Sequence, residues 1–142
     1  MKTLIKLIPF IAVMVAQSAL AEPVAVIVNS ANTQSLSSAE VKRIYGDKTI
    51  AWDNGEKIAV YNLPPEDKSA ELFAQKVLGM SARDAAAEES NRAIKNTSRN
   101  PQQTKRAILV SSIVSKTPGA IGYVPKDMAN SKPGIRVLFI VE

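Results

Sequence analysis

Neither cysteine nor histidine occurs in the 142 residues of this chain. Without cysteine there are no disulfides, no thiol chemistry and no lipid attachment after a leader. Without histidine the commonest general base and the commonest transition-metal ligand are missing together. Aromatics are scarce: three Phe, three Tyr and one Trp. After the first twenty-one residues no segment is long and apolar enough to span a bilayer, so the remainder is expected to be soluble rather than membrane-embedded.

Those first residues read as a targeting segment. Lys2 and Lys6 precede an apolar run, Leu7 to Val15, interrupted by Pro9, and Ala19-Leu20-Ala21 follows as a small-x-small cleavage pattern. The expected division is a signal peptide over 1–21 and one domain over 22–142. Two of the 18 basic residues leave with the leader, so 16 face 13 acidic ones, a net charge near +3. That charge does not demand nucleic acid, and none is expected as a partner. It is compatible with attracting small anions. Retention near the cell of an exported, unanchored protein implies a periplasm.

The pattern along the chain alternates strands and helices. Val24 to Val28 is a continuous β-branched run, as in a strand covered on both faces. Ser37 and Glu40 form a capping-box signature for a helix that turns Val41, Ile44 and Tyr45 inward and stops at Gly46. Asp53-Asn54-Gly55 is a turn, with Trp52 beside it, and Ile58 to Tyr61 is a second strand. A helix from Asp67 carries Ala70, Phe73 and Val77 to Leu78-Gly79, and Ser81 with Asp84 opens another, to about Lys95. Asn100-Pro101 predicts a cap and first helical position for a helix bearing Ala107, Ile108, Val110, Ile113 and Val114. Strands at Ala120–Val124 and Ile135–Val141 follow. This order predicts an α/β fold, a mixed sheet flanked by helices.

Catalysis has little to draw on. Glu88-Glu89 is an adjacent carboxylate pair within a helical pattern; neighbours at i,i+1 on a helix do not face each other, so they cannot flank a bond or clamp a metal. They read as a solvated helix face. No Gly-x-Ser-x-Gly or Ser-x-x-Lys motif presents a serine nucleophile. No enzymatic activity, metal or cofactor is expected. Anion binding needs helix N-termini, hydroxyls and a basic side chain. Such groups stand at Ser37 and Ser38, at Asp67-Lys68-Ser69, and at Thr97-Ser98-Arg99-Asn100. Either they hold an anion together or each caps its own helix. Trp52 likewise has two readings: burial against the second strand, or an exposed contact residue.

The segment Pro118-Gly119-Ala120-Ile121-Gly122-Tyr123-Val124 resembles a signature of the phosphate-binding subunit of bacterial ABC transporters. Further pieces resemble that family in order and spacing. They are Ile27-Val28-Asn29, Leu36, Ile44-Tyr45-Gly46-Asp47-Lys48 and Ile50-Ala51-Trp52. Members of the family are two-lobed, so the resemblance implies one periplasmic-binding-protein-like lobe, with phosphate or a related oxyanion as ligand. It also implies an ABC permease or another envelope protein as partner. The ligand residues it implies are Ser37, Ser38, Asn62, Lys68, Ser69 and Arg99. The family's ligand loop carries arginine-x-aspartate-glycine-serine-glycine-threonine. Aligned on Phe73, this chain has Ser69 at the serine, Ala70 at the second glycine and Glu71 at the threonine, and no arginine in Asn62 to Pro65. Lys68 or Arg99 is then the candidate source of positive charge. The alternative role is an accessory protein that kept the fold and lost the ligand.

Overall fold

A computed structural model describes Pro9 and residues 22–130 and 132–142. The leader expected over 1–21 lies, Pro9 apart, outside the described residues. Five strands form one sheet in the order β3-β2-β4-β1-β5. They are β1 (Val24–Asn29), β2 (Ala59–Asn62), β3 (Gln103–Thr104), β4 (Ala120–Pro125) and β5 (Ile135–Val141). β2 runs parallel to both β3 and β4, while β1 runs antiparallel to β4 and β5. This is the mixed α/β sheet that the pattern predicts.

Every residue of β1 is buried, as its unbroken apolar run requires. Helices cover both faces. On one lie α4 (Ala107–Lys116) and the short α5 (Lys126–Ala129); on the other, α1 (Ser38–Tyr45), α2 (Lys68–Phe73) and α3 (Ala82–Ile94). α2 continues as a π-helical stretch, Ala74–Leu78, and Gly79 ends it in the left-handed region at φ 74°. Alternation along β4 aims Tyr123 at the α1–α2 face and Gly122 at α4. Tyr123 stacks on Phe73 with ring centroids 3.9 Å apart, and Tyr45 meets Phe73 edge-on at 4.9 Å.

Gly122 is where helix and sheet touch. A Cβ there would lie 2.6 Å from Val110 Cγ1. Val110 is fully buried and, being β-branched, stiff in a helix, so it has nowhere to move. At Gly119 a Cβ would meet Glu56 Oε1 and the Lys57 carbonyl, each at 3.0 Å. Both glycines of the signature therefore serve close approach of backbone, and neither has a positive φ. Trp52 is 5% exposed, and its Nε1–H donates to the Gly119 carbonyl at 2.9 Å. Burial is the correct reading of that residue. Asn29, from the Val-Asn pair, donates from Nδ2 to the Val114 carbonyl at 2.8 Å and so ties the end of β1 to the end of α4.

Two expectations need correcting. Asn100-Pro101 does not open a helix: α4 begins at Ala107 with Arg106 as its N-cap, and the residues between contain β3, the sheet edge. Tertiary partners take the capping groups of Asn100. Its Nδ2 donates to the Ile58 carbonyl at 2.7 Å, and its N–H donates to Asp47 at 2.8 Å. A proline beside an edge strand leaves no ladder bond unmade. The second correction concerns Glu88-Glu89. Glu88 is exposed as expected, but Glu89 is half-buried and paired with Arg92 at 2.8 Å.

Candidate functional site

The parallel strands β2 and β4 end side by side, at Asn62 and beside Tyr123. Beyond the carboxyl ends of parallel strands is where open α/β sheets hold ligands. A cavity of about 130 Å³ lies there, lined by Asn62, Gln102, Thr104, Tyr123, Glu89 and the apolar surface of Phe73, Ala70 and Leu78, among others. Asn62 Nδ2 donates to Gln102 Oε1 at 2.8 Å, and Gln102 Nε2 donates to the Tyr45 carbonyl at 2.7 Å. The Gln102 N–H donates to Glu89 at 2.8 Å. The Tyr123 hydroxyl donates to Asn62 Oδ1, which also accepts the Leu63 N–H. Tyr45 donates to the Tyr61 carbonyl at 2.7 Å.

Burial pushes both phenols up. Desolvation is the larger cause at Tyr45, with Tyr123 adding to it. At Tyr123 desolvation again leads, the Leu63 N–H pulls the other way, and Asp67 raises it. Both therefore stay protonated and act as hydrogen-bond donors, not bases. Among the described residues no group of acidic side chains is gathered to hold a metal. The cavity has one polar wall and one apolar wall and carries one carboxylate; neither lysine nor arginine lines it.

The six residues expected to bind an anion do not gather in one place. Asn62 lines the cavity, and Lys68 and Ser69 begin α2 beside it. Lys68 is exposed; the Ser69 N–H donates to Asp67 Oδ1 at 2.8 Å. Ser37 caps α1 in a complete capping box with Glu40. Since Tyr45 at the far end of α1 meets Gln102, Ser37 and Ser38 stand a helix length away, about 12 Å at 1.5 Å per residue. Arg99 is pinned through its N–H to Asp47 at 2.7 Å, next to Asn100 at the amino end of β2.

Carboxylates also close the helix starts. Glu40 serves α1, Asp67 serves α2, and Glu71 reaches across to the Ala82 N–H at the start of α3 at 3.0 Å. The carboxyl of Glu71 is held below its usual range, chiefly by that N–H and then by the Gln75 side chain. An anion arriving at these starts meets negative charge where it needs donors.

Gln102, Glu89, Asp47 and the Tyr123 hydroxyl were not singled out as polar anchors from the sequence. Tyr123 sits inside the signature segment, so its position was available; Gln102 and Asp47 carry no local signal. Asp47 takes a left-handed conformation at φ 64°, and its carboxylate holds two backbone N–H groups of the 99–100 segment.

Comparison with solved structures gives the fold a precedent. An ABC-type phosphate transport receptor from Vibrio cholerae superposes with a TM-score of 0.62 at 15% identity, over 82% of this chain and 45% of its own. A phosphate ABC transporter substrate-binding protein from Clostridium perfringens, with bound phosphate, gives 0.60 at 18% identity, over 82% and 44%. A possible phosphate binding protein from Planctomyces limnophilus gives 0.58 at 17%, over 83% and 42%. The chain shares its fold with part of each of these receptors. It spans less than half the length of these receptors, a share that agrees with the one-lobe reading of the sequence. No protein-family model matches it, and no curated protein matches its sequence. Among the described residues no helix is long and apolar enough to cross a membrane.

Proposed function

We propose that this protein is an exported, non-catalytic envelope module that keeps one lobe of the phosphate-receptor fold and works by contact with another envelope protein. The supporting observation is electrostatic. The starts of α1, α2 and α3 are closed by Glu40, Asp67 and Glu71, while no lysine or arginine lines the cavity at the strand ends and its one carboxylate, Glu89, already holds Arg92 at 2.8 Å. A dianion needs the opposite arrangement, because the carboxylates at the helix starts raise the free energy of a phosphate bound beside them and no free cation lines the cavity to offset that. Export rests on the leader at 1–21, and a periplasmic location follows from it. The absence of histidine and cysteine, and the burial that pushes the Tyr45 and Tyr123 phenols up and keeps them donors near neutral pH, support a role without catalysis.

A second reading is weak binding of phosphate or a related oxyanion in the same cavity, with an ABC permease as the eventual partner. It is favoured by the place of the cavity at the ends of β2 and β4 and by the neutral donors Asn62, Gln102, Thr104 and Tyr123 around it. Calorimetry separates the two. The accessory role predicts no heat with phosphate, sulfate or an organic phosphate at about 1 mM. Saturable phosphate binding that is lost in Asn62→Ala overturns it and establishes the second reading.

A further inference from the structure

A second concavity, of about 320 Å³, opens between the last turn of α1 and the flank of α3, and Asn62 and Gln102 border it as well as the first. Four basic residues line it: Lys42, Arg43, Lys48 and Arg92. Among the described residues, no carboxylate lies within ion-pair distance of Lys42, Arg43 or Lys48. Arg92 is paired with Glu89 through Nη2, yet its Nε–H is buried without an acceptor. The floor is apolar, made by Leu78, Met80 and Ala85.

Helix-dipole stabilisation accounts for Lys42 and Arg43 in the last turn of α1. It does not account for Lys48, beyond the helix, or for Arg92 on a different helix. The nearby Asp47 carboxylate is turned inward and occupied by two backbone N–H groups, so it does not neutralise the cluster. Glu88 is the one acidic side chain lining the groove.

We infer that this groove docks an acidic segment of a partner protein that also carries an apolar side chain. The inference rests on the accessory role proposed above and names its surface. Charge complementarity selects the occupant: unpaired cations on flexible stems suit several carboxylates spread along a chain. The apolar floor gives a small inorganic anion nothing to contact, whereas a leucine-like side chain fills it.

Two labelled hexapeptides test this by fluorescence anisotropy, with the full chain expressed with its leader and purified after export. One alternates Glu and Leu; the other alternates Gln and Leu. The Glu/Leu peptide is expected to bind about tenfold or more tightly than the Gln/Leu peptide, and to weaken as salt is raised. Lys42→Glu with Lys48→Glu is expected to weaken it at least about tenfold, while Lys48→Arg retains it. Both lysines are exposed, so an unchanged melting temperature is expected for the variants. Equal binding of the two peptides, indifference to charge reversal, or displacement by inorganic phosphate at constant ionic strength overturns the assignment. A photo-crosslinker at Lys48 and another at exposed Ile108 on α4, on the opposite face, separate the two claims. Partner adducts at Ile108 and not at Lys48 remove the groove but leave the accessory role. Asn62-dependent phosphate heat removes the accessory role itself.

Discussion

The two ends of β4 are built on different principles. At its start, Gly119 is wedged against the Glu56 carboxylate and the Lys57 carbonyl and capped by the Trp52 indole, and Gly122 admits Val110 at a distance no side chain could share. At its other end, Tyr123 is held by a web of amides and hydroxyls from Asn62, Leu63 and Gln102 around a cavity. One end is neighbouring groups pressed into the space of absent glycine side chains, and the other is polar groups satisfying each other across elements distant in sequence. The contrast teaches that the segment most like a ligand signature owes its glycines to packing. The groups that could meet a ligand lie mostly outside it.

Removing the plug at the packed end gives the largest expected effect. Trp52→Ala opens a cavity and removes one of the two donors to the Gly119 carbonyl, leaving the Ala59 N–H, and should cost about 3–5 kcal/mol in denaturant unfolding. Survival of the fold at near wild-type stability breaks the claim that this end is sealed. Gly122→Ala comes next. The added methyl collides with Val110, and a loss of about 1–3 kcal/mol is expected. Val110→Ala in the same chain should recover part of it, a coupling readable as a double-mutant cycle.

At the polar end the effects are smaller. Tyr123→Phe removes a donor to Asn62 while keeping the ring on Phe73, and about 1–2 kcal/mol of destabilisation is expected. The same substitution also sharpens a pH test. An unfolded tyrosine ionises near 10, whereas the buried one resists, so stability is full below that value and falls as pH rises above it. The phenylalanine variant should lose less stability than the parent on going from pH 9 to about 11. Smallest is Glu71→Gln. Because its folded pKa is lowered, Glu71 stabilises above its ordinary value of 4.5 and ceases to as pH falls through the folded value. The variant should therefore melt slightly below the parent at neutral pH and converge on it as the pH falls, which gives it a shallower acid limb.

The readable parts of this fold were those decided locally. The β-branched run of β1, the Ser37–Glu40 box and the Ser81 cap each follow from a few adjacent residues, and each is found where expected. Asn100-Pro101 has the same local chemistry as a helix start, yet Ile58 and Asp47, both more than forty positions away in sequence, claim its hydrogen bonds. β3 escaped notice because two residues carry no period, and their pairing with Tyr61 and Asn62 depends on where Asn100 is held. The cavity was partly legible. Asn62 and the neighbourhood of Lys68 and Ser69 were placed near it, whereas Gln102 reaches it only because Asp47 bends the 99–100 segment back onto β2. Helix starts were recognisable, but not that a carboxylate from another helix, Glu71, would occupy one of them.

β1 lies between β4 and β5, so the first strand of the described domain takes both its partners from the last quarter of the chain. Closing contacts across some hundred residues of sequence is slow, because the intervening loop must be ordered before the pairing rewards it. During synthesis the Val24–Asn29 segment therefore stays short of a full set of partners until residues 120–141 have been made. A chain cut before the final strand is expected to leave one edge of this buried, apolar strand unpaired and open to association with other chains.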